Sequence, residues 1–488
     1  MKRHEGKLFN DQVHGYIRMS PLCVSIIDTS QFQRLRDLKQ LGTLYYVFPG
    51  GSHNRFEHSL GVAHLAGETV QRFMATQPEL GLSARDVDLL SIAGLAHDLG
   101  HGPFSHVFDA EFMPVVRPGS TYTHEDMSLR MFEFLIDDNH IDMERTDIRF
   151  VQELINGAKA IHGNKRIDDR GYLYEIVANG RNCIDVDKFD YLARDMQNLF
   201  GGKKGYNYSR LWHYNRVIDN EICYHTSVTS DIYELFDQRY YMHKQIYGHR
   251  KGKASIHVES IAMVTLHPLY AMILADKALG ISASTDSPEE FQFMTDHIVK
   301  TIECSKDPAL QAARDIIRRI RRRELYEFVD EYLVPASLAN RIPKVRASDV
   351  ACAGNALGMD LNVDDIIVYD GRLNYNLKDK NPVDMVSFYT SSDHNVKFHT
   401  PKEEVSLLFP EKFEERILRV YSRTNDKVIK EAISQAFRNH MQQYSQKVPF
   451  SPASKVVPPR AVQLRLPPSA RTLSMDDNLP QVKRAKTE

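Results

Sequence analysis

The chain has 488 residues, 42% of them apolar, with a formal net charge of −2. That is enough for a large core and excludes a polyelectrolyte binder, so any anion site is a local basic patch. Five scattered cysteines with no CxxC pair (Cys23, Cys183, Cys223, Cys304, Cys352) argue against a disulfide framework or a cysteine zinc site, and no apolar run approaches the ~20 residues of a bilayer span.

From about residue 16 to 345 the pattern predicts mainly helix. "FEHSLGVAHLAGETVQRFM" places Phe56, Leu60, Ala63, Gly67, Val70 and Met74 on one stripe at helical spacing. "SARDVDLLSIAGLAHDLG" opens with Ser83 and Asp86 in capping-box positions and predicts a helix to about Leu99, broken by Gly100, Gly102 and Pro103. Residues 355–440 change character: "DIIVYDG" and "DMVSFYT" predict short strands, and an amphipathic helix follows near 426–444. The expected organisation is a mainly α region over 1–345, a small mixed α/β lobe over 346–445 and a disordered, basic, Pro-rich tail over 446–488. That tail holds 7 of the 21 prolines.

Chemistry concentrates in "SIAGLAHDLGHGPFSH". Seven of the 21 histidines fall between His53 and His124, where chance would place about three. Imidazole with carboxylate suits Fe, Mn, Zn or Ni better than Mg alone. His97 and Asp98 can share one ion if it sits off the helix end and other helices close the shell. His58 in "HNRFEHS" and Asp187 in "RNCIDVDKFDYLARD" are the candidates to do so. A satisfied core histidine and a surface carboxylate are the bland alternatives for the two. "HDLGH" resembles a zinc-peptidase HExxH, but two glycines and a proline interrupt the helix which that motif requires.

Two helical faces suit a nucleotide. Asp187, Tyr191 and Asp195 recur at i, i+4 and i+8 with Lys188 alongside. Arg239, His243, Tyr247 and Arg250 recur at i, i+4, i+8 and i+11. Solvated faces are the default for either alone; cations for phosphate, a carboxylate for a sugar hydroxyl and aromatic rings favour a pocket. "RDIIRRIRRRELYEF" packs six arginines into 314–323, either a solvated basic face or an anion or nucleic-acid site. The scattered cysteines and an N-terminus without a secretory apolar stretch predict an intracellular protein, and "QVKRAKTE" has the composition of a short nuclear import signal, a pattern that chance often produces, so nucleus or cytoplasm is the expected location.

Together, "SHNRFEHSLGV", "HDLGHGPFSH", "RNCIDVDKFDYLARD" and "PEKFEERILRVY" resemble the deoxynucleoside triphosphate triphosphohydrolases of the SAM-and-HD-domain family, within the HD phosphohydrolase superfamily. The resemblance runs from about Lys7 to residue 440, without the family's N-terminal SAM domain. It implies an HD-domain helical catalytic core. His58, His97, Asp98 and Asp187 match its metal ligands, and His124 its catalytic histidine, with His101, His106 and Asp109 beside it. Arg55, Lys188 and Arg239 match triphosphate contacts. Gln40, Leu41, Tyr191, Asp195 and Tyr247 match sugar contacts, with Leu41 and Tyr247 leaving little room for a 2′-hydroxyl. Lys7, Leu8, Asp28, Gln33, Arg36 and Arg323 match a guanine-nucleotide activator site; Asn10, Val47, Arg210, His249 and Arg250 match an adjoining deoxynucleotide site. His225, Ser227, Gly248 and Glu327 depart from the family pattern.

The resemblance implies a nucleotide-assembled tetramer that uses one transition metal per site, Mg bridging nucleotide phosphates, and GTP or dGTP plus a dNTP as activators. The expected reaction is dNTP hydrolysis to deoxynucleoside and inorganic triphosphate. The rivals are an HD phosphohydrolase acting on a phosphodiester and a non-catalytic nucleic-acid-binding protein.

Overall fold

The computed structural model describes residues 6–157, 170–248, 266–377, 379–400 and 410–444. The expected tail, like His249 and Arg250, lies outside these residues. Strands β1 (Lys7–Asp11) and β2 (Gly15–Met19) form an antiparallel hairpin, with Asp11 opposite Gly15. Helix α1 (Pro21–Ile27) follows, with Ser20 capping it and proline in its first turn.

Helix α2 (Arg55–Thr76) starts where Asn54 and Glu57 form a capping box. The Asn54 side chain accepts from the Glu57 amide at 3.3 Å, and the Glu57 carboxylate accepts from the Asn54 amide at 3.1 Å. This fixes Arg55 at the first helical position and His58 one turn in. Phe56, Leu60, Ala63, Gly67 and Val70 are buried as the stripe predicts, and Met74 is half-buried. Helix α3 (Ala84–Ala96) begins at the expected Ser83, whose amide donates to Asp86 at 2.8 Å. It stops three residues short of Leu99. The Leu99 amide turns back to the Ala96 carbonyl at 3.2 Å, so His97 and Asp98 occupy a tight turn rather than the helix.

The loop after Asp98 runs against the start of helix α4 (His124–Asp138). Gly100 permits the approach, because a Cβ there would lie 2.1 Å from the His124 carbonyl oxygen and 2.3 Å from the Ser128 nitrogen. Ser128 Oγ accepts from the Gly100 amide at 2.8 Å and donates to the His97 carbonyl at 2.7 Å, which pins the turn. Helix α5 (Arg145–Asn156) packs behind α3 and α4, and helix α6 (Val186–Phe200) lies across α2. The core joining them holds Phe56, Leu95, Phe108, Phe132, Val151 and Leu192.

Strands β3 (Asn215–Ile218) and β4 (Glu221–His225) precede helix α7 (Thr229–Met242), and helix α8 (Gln311–Arg322) carries most of the arginine run. Strand β5 (Glu327–Val334) pairs in a three-stranded antiparallel sheet of order β5-β9-β6 with β6 (Ile366–Asn374) and β9 (Glu414–Ser422). Helix α9 (Lys427–Gln442) covers it, over a separate core including Val334, Leu361, Leu418 and Phe437. "DIIVYDG" thus falls in a strand. "DMVSFYT" yields only the short β7 (Phe388–Thr390), since Pro382–Met385 forms a 3₁₀ turn. β7 pairs parallel with β4 and antiparallel with β8 (Asp393–Phe398), which returns Val386 and Phe388 to the main core. No helix among the described residues is long and apolar enough to cross a membrane.

Candidate metal centre

Three segments far apart in sequence converge at the N-terminal end of α2. His58 Nε2 lies 3.0 Å from Asp187 Oδ1 and 3.6 Å from Asp98 Oδ2. His97 Nε2 lies 3.5 Å from Asp98 Oδ1 and 3.6 Å from Asp187 Oδ1. Asp187, in the first turn of α6, is 35% exposed and points at both imidazoles, not outward as a surface carboxylate would.

The donor set fits a divalent cation. His97 Nε2 is buried and makes no hydrogen bond among the described residues, while its Nδ1 is fixed on the Gly94 carbonyl at 2.8 Å. His58 Nδ1 is fixed on Asp190 Oδ2 at 2.7 Å. Both rings therefore present Nε2 to the two carboxylates, as ligating histidines do. Burial works against charge on His58, but its hydrogen bonds to the Asp187 and Asp190 carboxylates push its pKa up to about 10. Burial works against the Asp98 carboxylate too, yet Arg55, His97 and His101 hold it well below the usual range.

Beside this group stands a second one: His101, His106, Asp109 and His124. His101 and His124 stack at 4.0 Å with 14° between planes. His124 Nδ1 is hydrogen-bonded to Asp109, held in a π-turn over Phe108–Phe112, and His106 Nδ1 lies 3.8 Å from the same carboxylate. The environments drive the stacked pair apart. Burial, with Arg55 and His124 as neighbours, holds His101 well below its usual pKa; burial opposes charge on His124 as well, but Asp109 raises it. His124 is therefore the ring that carries the proton.

Arg55 is buried, paired with Asp98, and donates Nε to Ser105 Oγ at 2.8 Å. Lys188 is buried with Nζ 3.3 Å from Asp185 Oδ1; burial would lower its pKa, but Asp185, Tyr191 and Asp187 raise it. Arg239 donates to the Asn374 carbonyl at 2.9 Å. Leu41 is buried, and Gln40 Oε1 is buried without a hydrogen bond among the described residues. Asp195 Oδ1 is 2.6 Å from His53 Nε2, and Tyr247 donates to its other oxygen. The regular i, i+4, i+8 spacing does not hold on the second face. A π-turn over His243–Tyr247 adds a residue, and that turn carries the Tyr247 hydroxyl to Asp195.

The activator candidates sit at the surface. Lys7 pairs with Asp28, and Leu8 is exposed. Gln33 Oε1 accepts from Arg36 Nε at 2.8 Å, and Arg36 covers the Phe56 ring at 3.5 Å. Asn10 pairs with Tyr16 in the hairpin, and Val47 closes a 3₁₀ turn. Arg210 lies 3.2 Å from Asp231, and Arg323 donates to the Tyr46 carbonyl at 2.9 Å. His225 bonds Ser227 and Ser391, each at 2.8 Å. The Gly248 carbonyl accepts from Arg419 at 2.6 Å, and Glu327 opens β5. Neighbours already engage the arginine run: Arg314 with the Ser305 and Asp307 carbonyls, Arg318 with Asp315, and Arg321 with Glu303.

Sequence reasoning passed over several site-building residues. Asp190 lies inside the quoted "DVDKFDYLARD", three residues past Asp187, and supports His58. Asp296 accepts from the amides of Phe104 at 2.6 Å and Lys39 at 2.9 Å, joining the histidine loop to the Gln40 loop. Arg34 donates to the Leu99 and His101 carbonyls at 3.1 and 2.6 Å. Nothing near Asp296 or Arg34 in sequence signals these contacts.

A helical frame that brings His58, His97 and Asp187 together, with Asp98 beside them in an HD pair in the turn after a helix, defines an HD-domain protein. The HD domain model matches residues 55–195. Over 457 residues the chain is 40% identical to the deoxynucleoside triphosphate triphosphohydrolase SAMHD1 homolog of Dictyostelium discoideum, covering 93% of this chain and 85% of that protein. It is 41% identical over 455 residues to the deoxynucleoside triphosphate triphosphohydrolase SAMHD1 of Homo sapiens (86% and 71%) and 40% over 461 residues to that of Gallus gallus (88% and 74%). The chain belongs to the SAMHD1 family of deoxynucleoside triphosphate triphosphohydrolases.

Proposed function

We infer that this protein hydrolyses dNTPs to deoxynucleoside and inorganic triphosphate, and so acts in dNTP catabolism. The observation that carries the reading is the position of Asp187, 3.0 Å from His58 and 3.6 Å from His97 although it is delivered from far down the chain.

His58, His97, Asp98 and Asp187 are the residues that would hold a divalent cation. Nitrogen and carboxylate donors favour Fe, Mn or Zn, with Mg left to the nucleotide phosphates. When bound, such an ion supplies Lewis acidity and lowers the pKa of coordinated water from 15.7 toward about 7. The remaining steps belong to the side chains. Arg55, Lys188 and Arg239 offset charge on the triphosphate. Water adds to the α-phosphorus, the bond to the 5′-oxygen breaks, and His124 gives that oxygen its proton. Asp109 holds the His124 ring in the donating tautomer. Gln40, Leu41, Tyr191, Asp195 and Tyr247 bind the deoxyribose, and the bulk of Leu41 and Tyr247 selects against a 2′-hydroxyl.

The test is incubation with each dNTP and its ribonucleotide, quantifying deoxynucleoside and triphosphate, alongside Asp187→Asn. The parent releases triphosphate from dNTPs and the variant, still folded, does not. Equal release by a folded variant would refute the assignment.

Regulation is part of the same proposal. Lys7, Leu8, Asp28, Gln33, Arg36 and Arg323 bind GTP or dGTP; Asn10, Val47, Arg210, His249 and Arg250 bind a dNTP; and the two bring four chains together. GTP then raises both activity and sedimentation coefficient. Flat kinetics and an unchanged coefficient would reject the regulatory part alone.

A further inference from the structure

The side of His58 turned away from Asp187 opens onto a buried network with no part in the chemistry above. Asp190, which holds His58 Nδ1 with one oxygen, places its other oxygen 2.6 Å from Nε2 of His14, in the turn between β1 and β2. Arg194, one helical turn further along α6, donates to both oxygens of Asp190, at 2.9 and 2.8 Å. Its remaining nitrogen donates to Asp11, the last residue of β1, at 2.8 Å. The Asp190 and Arg194 side chains are both 0% exposed, and that of His14 is 2% exposed. Tyr208 closes the far side, its hydroxyl 3.0 Å from His14 Nδ1.

Helix α2 is shaped to admit this network. A Cβ on Gly61 would lie 1.8 Å from Asp190 Oδ1 and 2.6 Å from Arg194 Nη2. One turn beyond His58, the helix has no side chain where the ion pair must pass. A buried ion pair is a weak stabiliser compared with apolar packing of the same volume. A pair that also displaces a side chain from the helix bearing a metal-facing histidine has a positional role.

We propose that Asp190 is a positioning residue for His58 and that His14 and Asp11 hold it in place. Docking of the N-terminal hairpin thereby sets how tightly the centre binds its cation. The inference rests on the metal-site reading above. With Asp190 accepting from Nδ1–H, Nε2 is the His58 nitrogen left facing the carboxylates, the one a metal ligand must present. His14 lies 176 positions from Asp190 in sequence. The hairpin that closes on the far side of the centre is the one bearing Lys7, Leu8 and Asn10.

The test uses the full chain and Co²⁺ alone, with no nucleotide. Affinity is measured by chelator competition, and the visible absorption bands report coordination. His14→Ala is expected to loosen Co²⁺ by roughly 10- to 100-fold, the range for losing an outer-shell partner, and to alter the bands. His14→Gln, which keeps a donor toward Asp190, restores most of the affinity. Tyr16→Ala, on the exposed side of the same hairpin, matches the parent. If circular dichroism shows His14→Ala unfolded, Tyr208→Phe decides, with a smaller loosening expected. Parent-like affinity and bands in folded His14→Ala, or in Tyr208→Phe where that variant decides, would overturn the inference. So would equal loosening by Tyr16→Ala, which points to hairpin stability instead. Failure of the parent to bind Co²⁺ would refute the metal-site reading, and this inference with it.

Discussion

Replacing Asp109 by asparagine isolates what its charge does for His124. The amide oxygen of asparagine can still accept from Nδ1–H, so ring orientation and tautomer persist while the charge goes. The charge-assisted hydrogen bond, worth about 1.5–3 kcal/mol net, becomes a neutral one worth about 0.5–1.5, a loss of about 1–1.5 kcal/mol. Without the carboxylate that raises it, His124 falls in pKa. His106, the other neighbour of Asp109, stands at 3.8 Å with its side chain 62% exposed. The sign follows from the role. His124, raised by Asp109, holds its proton to higher pH than an ordinary imidazole and loses it as pH climbs through its pKa. A reaction that needs that proton declines along its alkaline limb, and in the variant this limb moves toward lower pH. The assay is kcat for triphosphate release across pH, since kcat reports groups in the enzyme–substrate complex. At neutral pH the variant is slower, and acidification recovers part of the loss. An alkaline limb that does not move, in a folded Asp109→Asn protein, would refute His124 as the acid.

Cation binding should release protons near neutral pH, because His58, with a pKa of about 10, must give up its Nε2 proton to an ion. Calorimetry of Mn²⁺ or Zn²⁺ binding in two buffers of different ionisation enthalpy measures this, and identical heats would contradict it. Gly100→Ala forces its methyl into the His124 carbonyl, and overpacking of that kind costs about 1–3 kcal/mol. Urea unfolding and triphosphate release should both suffer. Burial pushes Asp296 from 3.8 up to about 6 against the pull of the Lys39 and Phe104 amides. A carboxyl raised in the fold favours stability below pH ~4 and loses that contribution as pH rises through about 6, amounting to at most about 3 kcal/mol. Asp296→Asn should flatten this part of the urea-midpoint profile; an unchanged slope would exclude Asp296 as its source.

Local signals made much of this molecule legible. The start of α3 is written in Ser83 and Asp86, where a cap acts within one turn; the equally local Asn54–Glu57 cap of α2 is seen only in the structure. The HD pair and its glycines announced a site because no core or turn needs those residue types together. Contacts made across long chain separations left no such trace. Arg194 and Asp190 read as two charges on an amphipathic helix, and only the fold brings Asp11 and His14 over them. The end of α3 was misplaced by three residues because the turn after Ala96 is pinned by Ser128, far along the chain. The π-turn at His243–Tyr247 has no compositional marker either; Asp195, on another helix, meets the tyrosine it displaces.

The two classes of site residue differ in what binding must undo. At the metal centre the His58 and His97 rings are already oriented by Asp190 and Gly94, so an ion replaces a proton without moving them. At the proposed activator positions Lys7 is committed to Asp28, Arg210 to Asp231 and Arg36 to Gln33, all at exposed sites. Exposed pairs are worth about 0–1 kcal/mol each, so a triphosphate exchanges for them at small cost. Such a site gains affinity when a second surface excludes water around the phosphates, because that lowers the local dielectric. The activator proposal therefore predicts that Lys7 and Arg36 bind GTP weakly in a dilute monomer and tightly in an assembled oligomer, and a GTP affinity independent of chain concentration would refute that coupling.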